Sequence, residues 1–257
     1  MSDFTLSIDA PAAAVRRISW SRPGKHNAFT AAMYQAICDA VLAAENDDDV
    51  RVLWLTGEGG HFSAGNDLTE FAQGGLSFPD APVFRLLKAV SSFTKPLVMT
   101  PSGAAIGIGT TLCLHADFVN CQTDVRFQMP FVSLGLCPEG GSSLLIPRLV
   151  GQAKAMSWLL LGTPILADEA LATGLVNSVS ESEEALHNDT LRLVTQLAGL
   201  PKQSVTIAKQ LIKSHLGDAL QQTLHTEGEH FTKLLEGPDV QEAIAAFTEK
   251  RKPRFNA

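Results

Sequence analysis

Apolar and polar positions alternate along "FTLSID", residues 4–9, and "AVRRIS", residues 14–19, mixes apolar and polar positions over a similar length, which predicts two short strands flanking a turn at Ala10–Pro11. Pro and Gly then interrupt every period in "RPGKHNAF", so residues 22–29 read as a loop. Thr30 can act as an N-cap, and helical spacing of Met33, Ile37, Ala40 and Val41 predicts a helix over 31–46. "VRVLWLTG" reads as a buried strand that ends in the glycine-rich "GEGGHFSAGNDL". A helical start at Leu68, a Gly/Pro-rich stretch through Pro82 and a helix over 83–92 follow.

The same unit then recurs. "KPLVMTPSG" reads as a strand, "IGIGTTLCLHA" as a glycine-started helix, and "DFVNCQ" and "VRFQMP" as further strands. "QAKAMSWLLLG" and "LADEALATG" have helical spacing, and "LVNSVS" reads as a strand. Strands alternating with helices predict an α/β body with parallel pairing and helices packed outside. After Ser180 only helical patterns remain, through "VTIAKQLIKSH", "DALQQTLHTEGEHFTKLLEG" and "PDVQEAIAAFTEKR". The expected division is an α/β core over 1–199 and a helical C-terminal region over 200–257.

Composition narrows the function classes. The 257 residues are 45% hydrophobic and 18% charged, with net charge −7, which argues against a phosphate-binding nucleic-acid surface. The closing "EKRKPRF" reads as the solvated end of a helix. Cys38, Cys113, Cys121 and Cys137 form no CxxC pair, so reduced thiols are expected rather than a disulfide framework or a zinc site. "HTEGEH" joins His225 and His230 without making HExxH, and no metal site is expected. The N-terminus lacks a signal core, and no apolar run approaches the ~20 residues of a membrane span, so a cytoplasmic chain with no membrane partner is expected.

Two glycine-rich segments, "GGHFSAGNDL" and "SGAAIGIGTTL", join a strand to a helix. Glycine lets the backbone approach a ligand closely, and the first N–H groups of a helix are unpaired. Two such donors could grip a carbonyl oxygen that becomes an oxyanion; the competing reading is that these glycines merely make turns. A dinucleotide reading of "SGAAIGIG" fails, because that turn belongs after the first strand and needs a Tyr followed four residues on by Lys. Tyr34 is the single tyrosine, and Cys38 stands at the later position.

Taken in order, "RPGKHNAF", "GEGGHFSAGNDLTEF", "KPLVMTPSGAAIGIG", "LGLCPEGGSSLLIPRLVG", "ADEALATGLVNSV" and "FTEKRKPRF" give the chain a resemblance, over essentially its whole length, to the enoyl-CoA hydratase/isomerase (crotonase) superfamily. The resemblance implies an α/β crotonase-like superhelix of ββα repeats, and a helical C-terminal region that builds homotrimers or dimers of trimers. It implies an acyl-CoA thioester as substrate and no separate cofactor. Carried over by motif, the oxyanion donors are the N–H groups of Ala64 and Ile108. The implied substrate contacts are Lys25, Ala28, Ser63, Gly65, Asn66, Asp67, Leu68, Gly107 and Phe131. Lys25 would meet a CoA phosphate, against the ordinary reading of a solvated lysine. Asn66 and Asp67 read first as caps supporting the site. Phe247 and Lys250 would close over CoA, while Asp117 and Asp124 read as loop or capping residues.

The resemblance also separates reactions. Hydratases of this kind use two glutamates to hold and split water, and the corresponding positions here are Thr111 and Phe131. Neither side chain is a base near neutral pH, which argues against efficient hydration. Glu139, in "CPEGGSS", matches the lone glutamate of peroxisomal-type 3-enoyl-CoA to 2-enoyl-CoA isomerases. One carboxylate can take a proton from C2 and return it to C4. Read alone, Glu139 is first an acidic helix start worth ~0.3–1 kcal/mol, and the resemblance turns the reading toward a base. Apolar neighbours would raise its proton affinity and a helix N-terminus would lower it, so the sequence leaves the net direction open. The competing functions are isomerisation of a ring-derived acyl-CoA, with "FAQGGLSFPDAPVF" shaping the acyl pocket, and a noncatalytic CoA-binding module.

Overall fold

The computed structural model describes residues 3–71 and 78–255. β1 (Thr5–Asp9) pairs antiparallel with β2 (Val15–Ser21), placing Ile8 opposite Ile18. α1 (Ala31–Asn46) starts at Thr30, whose hydroxyl accepts the Met33 N–H at 3.2 Å. β3 (Val52–Gly57), α2 (Leu68–Phe71), α3 (Pro82–Ser91) and β4 (Leu97–Thr100) follow. Next come β5 (Ala104–Ile106), α4 (Ile108–Cys113), β6 (Phe118–Gln122) and β7 (Arg126–Gln128). α5 (Ser142–Val150), α6 (Gln152–Leu160), β8 (Ile165–Leu166), α7 (Ala167–Ala172) and β9 (Ser178–Ser180) complete the α/β part. Four helices end the chain: α8 (Glu183–Gly199), α9 (Lys202–Lys213), α10 (Gly217–Leu235) and α11 (Pro238–Thr248).

A six-stranded sheet runs in the order β1-β2-β3-β4-β6-β9, parallel except for β1, and a second sheet runs β5-β7-β8. Successive strands therefore alternate between layers: β4 and β6 enter the large sheet, β5 and β7 the small one. Parallel bridges Phe29–Asn66 and Ser63–Ala105 bring the two glycine-rich loops beside the small sheet. The ββα reading holds in this sense.

β3 is apolar at consecutive positions because both of its faces are covered. Leu53 and Leu55 join the main core with α1 and α3, whereas Val52 and Trp54 pack with Val194 and Ala198 of α8. Two elements depart from the sequence reading. β5 takes residues 104–106, which the pattern had assigned to a loop and a helix start, because a three-residue strand between glycines carries no period. α8 had been read only as unspecified helical pattern, yet it covers the outer face of the large sheet. α9 is tied to the sheet through Asp117, whose carboxylate meets Lys209 at 2.6 Å and Lys213 at 2.8 Å. Asp117 also accepts the Leu97 N–H at 2.8 Å, so it is an ionic anchor as well as a strand-edge cap.

Candidate active site

The first glycine-rich loop is held from below by packed aromatic rings. Trp20 lies edge-on to Phe29 and Phe62, with centroids 5.5 and 5.1 Å apart, and its indole N–H donates to the Phe62 carbonyl at 2.8 Å. The buried Asn27 joins this loop to "RPGKHNAF". Its amide donates to the carbonyls of Glu58 at 2.8 Å and His61 at 2.6 Å, and its oxygen accepts the Arg22 N–H at 2.7 Å.

With the loop fixed, its amides can be followed one by one. Ser63 N–H donates to Ala104 O at 2.8 Å, Ala64 N–H to His26 O at 2.9 Å and Asp67 N–H to Phe29 O at 2.9 Å. Gly65 N–H donates to Ser63 Oγ at 3.1 Å. Among the described residues, the Asn66 N–H in this stretch has no partner. The assignment of Ala64 as an oxyanion donor is thereby corrected: its N–H is engaged by the His26 carbonyl. The left-handed φ of +93° at Gly65 interrupts the alternation of an extended chain, so the next amide faces away from that neighbour.

The second glycine-rich loop touches the first. A Cβ on Gly65 would lie 3.1 Å from Ile106 O, and Ile106 N–H donates to Ser63 O at 2.8 Å. Gly107 N–H donates to Gln128 O, while the N–H groups of Thr110 and Thr111 donate back to Gly107 O. The Ile108 and Gly109 N–H groups start α4 with no partner among the described residues. Free donors at Asn66 and Ile108 thus stand on two loops in contact, an arrangement able to bind a developing oxyanion.

Glu139 sits on the turn before α5, with Gly140 and Gly141 both left-handed at φ +68° and +77°. Gly140 is pressed against α4, since a Cβ there would be 2.8 Å from Thr111 Oγ1. The Thr111 hydroxyl donates to Glu139 Oε1 at 2.5 Å. The Glu139 side chain is buried, and burial pushes its carboxyl up to about 8; the Thr111 hydrogen bond opposes this and the Glu227 carboxylate adds to it. The direction left open by the sequence is therefore upward. The helix-start reading also meets its answer, because the acid at the N-terminus of α5 is Glu227 of α10. Glu227 accepts the N–H of Gly141 at 2.6 Å and of Ser143 at 2.9 Å.

Glu139 and Gly140 border a cavity of about 490 Å³ walled by Phe78, Phe84, Leu87 and Leu224. A larger cavity of about 630 Å³ lies beneath α9 against Leu149 and Leu197. Its lining does not include Glu139, so the smaller cavity is the one that reaches the carboxyl; neither cavity is lined by Asn66 or Ile108.

A family model described as enoyl-CoA hydratase/isomerase matches residues 11–257. The chain belongs to the enoyl-CoA hydratase/isomerase family, the crotonase superfamily. It is 32% identical over 248 residues to the 1,2-epoxyphenylacetyl-CoA isomerase of Escherichia coli K12, covering 94% of each chain. It is 38% identical over 207 residues to enoyl-CoA delta isomerase 2 of Rattus norvegicus, a match that covers 78% of this chain and 52% of that protein. A crystal structure of an enoyl-CoA hydratase/isomerase from Pseudoalteromonas atlantica T6c superposes with TM-score 0.90 at 36% identity, covering 99% of this chain and 100% of that one. The chain is an acyl-CoA-processing enzyme of the crotonase type.

In this crotonase chain the other expected site residues divide by exposure. Ser63 is fully buried; it donates to Asn27 O at 2.9 Å and accepts from Gly65, so its side chain is scaffold and not a substrate contact. Asp67 is likewise internal. Burial alone would raise its carboxyl, but the Arg22 ion pair at 2.6 Å and the N–H groups of Thr69 and Glu70 hold it below its ordinary value. Asn66 presents its side-chain oxygen to the Tyr34 hydroxyl at 2.6 Å, which orients the loop carrying its free amide. Phe131 is buried, its ring 3.8 Å from where a Cβ on Gly107 would stand. Ala28 and Leu68 are half-buried, and Lys25 is exposed. Phe247 is 67% exposed at the end of α11, close to the exposed Lys250. Asp124 accepts the Gly103 N–H at 3.1 Å as a loop cap.

His225 stacks edge-on to Phe78 at 4.9 Å, and no group of three or more metal-binding side chains occurs among the described residues. Residues 72–77 of the stretch expected to shape the acyl pocket lie outside the described residues. No helix among the described residues is long and apolar enough to cross a membrane.

Proposed function

We propose that this enzyme moves the double bond of a 3-enoyl-CoA into conjugation, giving the trans-2-enoyl-CoA. The observation that carries the reading is the buried carboxyl of Glu139, bordering the cavity and bonded to Thr111 where a hydratase of the resembling type would hold a second acid. Thioester oxygen bound by the Asn66 and Ile108 N–H groups makes the C2 proton acidic. The Glu139 carboxylate takes that proton as the electron pair moves to the enolate. It then returns the same proton to C4 as the C2–C3 double bond forms, so no water is consumed and no redox partner is required. The raised proton affinity suits both halves, since a stronger base removes the proton and its acid form remains protonated until C4 is presented.

The acyl-CoA is substrate, with no further cofactor. Leu211 and Ile212 on α9, each 70% exposed, support assembly into a homotrimer or a dimer of trimers through the C-terminal helices. The full-length match to the Escherichia coli 1,2-epoxyphenylacetyl-CoA isomerase favours one second reading, isomerisation of a ring-derived acyl-CoA by the same residues. A paired assay decides: purified protein given linear 3-enoyl-CoA, cyclic acyl-CoA and 2-enoyl-CoA. Isomerisation lost in Glu139→Gln, with negligible hydration, is expected. Efficient hydration of 2-enoyl-CoA, or full turnover in Glu139→Gln, overturns the reading.

A further inference from the structure

Thr111 and His115 hold the catalytic turn from one side. Thr111 bonds the carboxyl of Glu139, and His115 Nε2–H donates to the Gly140 carbonyl at 2.9 Å. From the other side the turn is held by an acid far away in the chain. Glu227 reaches from the middle of α10 and takes three donors: Gly141 N–H at 2.6 Å, Ser143 N–H at 2.9 Å and Ser143 Oγ–H at 2.6 Å. α5 has glycine at its N-cap and no side-chain cap of its own, so Glu227 supplies the cap across space. The cap has to come from elsewhere in the chain, because Gly141 is left-handed at φ +77° and a Cβ there would stand 2.7 Å from Leu220 Cδ1.

We propose that Glu227 is a positioning residue for the reaction: it clamps the turn that carries Glu139 and places a second buried carboxyl where its charge favours the protonated form of Glu139. This rests on Glu139 being the base. Burial raises the Glu227 carboxyl above its ordinary value, and the three donors on its two oxygens oppose that by favouring its anion. Glu139 receives a single hydroxyl, so of the two carboxyls the proton belongs on Glu139. Charge repulsion from Glu227 adds to burial in that direction. The other titratable groups facing Glu139 contribute less. Tyr34 of α1 is held uncharged by burial, Cys137 on the same turn is raised in the same way, and burial pushes His115 down to about 4, leaving it neutral. Asp80, Arg85, Lys88 and His225 border the cavity at exposed positions, where water screens them.

The test is an infrared titration of the carboxylic C=O band of Glu139, isolated as the difference between wild type and Glu139→Gln, repeated in a Glu227→Gln background. It needs no turnover, so it reads the link even if the wild type fails on 3-enoyl-CoA, an outcome that would count against the isomerase reading alone. Glu227→Gln keeps an oxygen acceptor for α5 and removes the charge. The Glu139 midpoint is expected to fall by about one pH unit, raising its ionised fraction at pH 7 about five-fold, and the acid limb of the pH–rate profile should move with it. If that variant does not fold, Glu227→Asp serves: the charge stays, the reach shortens, and kcat should fall at least about ten-fold with the midpoint still raised. An unmoved midpoint in Glu227→Gln, or wild-type kcat in Glu227→Asp, overturns the proposal.

Discussion

Replacing Glu139 by Gln should stabilise the protein, and by an amount that depends on pH. In the unfolded chain the carboxyl titrates at about 4.5, and in the folded protein at about 8. Below the lower value both states are protonated and the acid costs nothing through ionisation. Between the two values the folded protein keeps a proton that the unfolded chain has already released. Stability therefore falls as pH rises across this window and levels off above about 8. At about 1.36 kcal/mol per pH unit the full window is worth about 5 kcal/mol. Gln has nearly the shape of the neutral acid, accepts the same Thr111 bond and does not titrate. The assay is urea denaturation of wild type and Glu139→Gln at about pH 5 and about pH 9. Near pH 5 the two should differ by less than about 1 kcal/mol, and near pH 9 the variant should be more stable by several kcal/mol. Titrating groups that do not interact with Glu139 are common to both proteins and cancel. A difference that stays constant with pH, or that favours wild type more at high pH, would refute the assignment of Glu139 as a buried, high-affinity proton site.

Two further predictions concern the oxyanion amide and the ionic anchor of α9. Ile108 opens α4 after Gly107, a position at which proline is tolerated, so Ile108→Pro deletes one free amide while the helix stays. It should lower kcat by about 10²–10³, with Ile108→Val as the packing control, and near-normal turnover in steady-state assays would remove this amide from the oxyanion site. Asp117→Asn leaves Lys209, whose ammonium burial already pushes down to about 8, without its carboxylate. Loss of about 3–5 kcal/mol in urea unfolding is expected, and an unchanged midpoint would show that the lysines find other partners.

What could be read from the chain follows the range of the forces involved. α1 was legible because Thr30 and the spacing of Met33, Ile37 and Val41 are local signals. β3 was legible because its run of apolar residues reports burial on both faces. β5 was not, since three residues between glycines become a strand only when Ser63 and Arg126 lie alongside. The site divides in the same way. Glu139 stood out as an acid among small and apolar residues. The choice between Ala64 and Asn66 as donor depends on the His26 carbonyl, which lies across the loop, and the available cue was Gly65, whose left-handed turn redirects the amide after it. Glu227 was beyond reach, being 86 positions from the Gly141 amide that it holds and looking in sequence like any acid on a surface helix.

The neutral residue at 111 has its own physical logic. A buried acid with a charged neighbour in Glu227 resists ionising, yet it must be ionised to start the reaction. A hydroxyl donating to Glu139 Oε1 at 2.5 Å stabilises the anion more than the acid, and so keeps the basic form within reach near neutral pH. A carboxylate in its place would add a third negative charge within the same protein interior and drive protons onto the cluster, which suits an enzyme that holds water between two acids. Thr111 lies three residues beyond Ile108 on the six-residue α4, so a single short helix carries both an amide for the oxyanion and the hydroxyl that tunes the base. Gly109 lets that helix approach the other loop, since a Cβ there would stand 2.9 Å from Ser63 O. The acid–base balance of Glu139 and the placement of the oxyanion donors are thus set by the same packing contact.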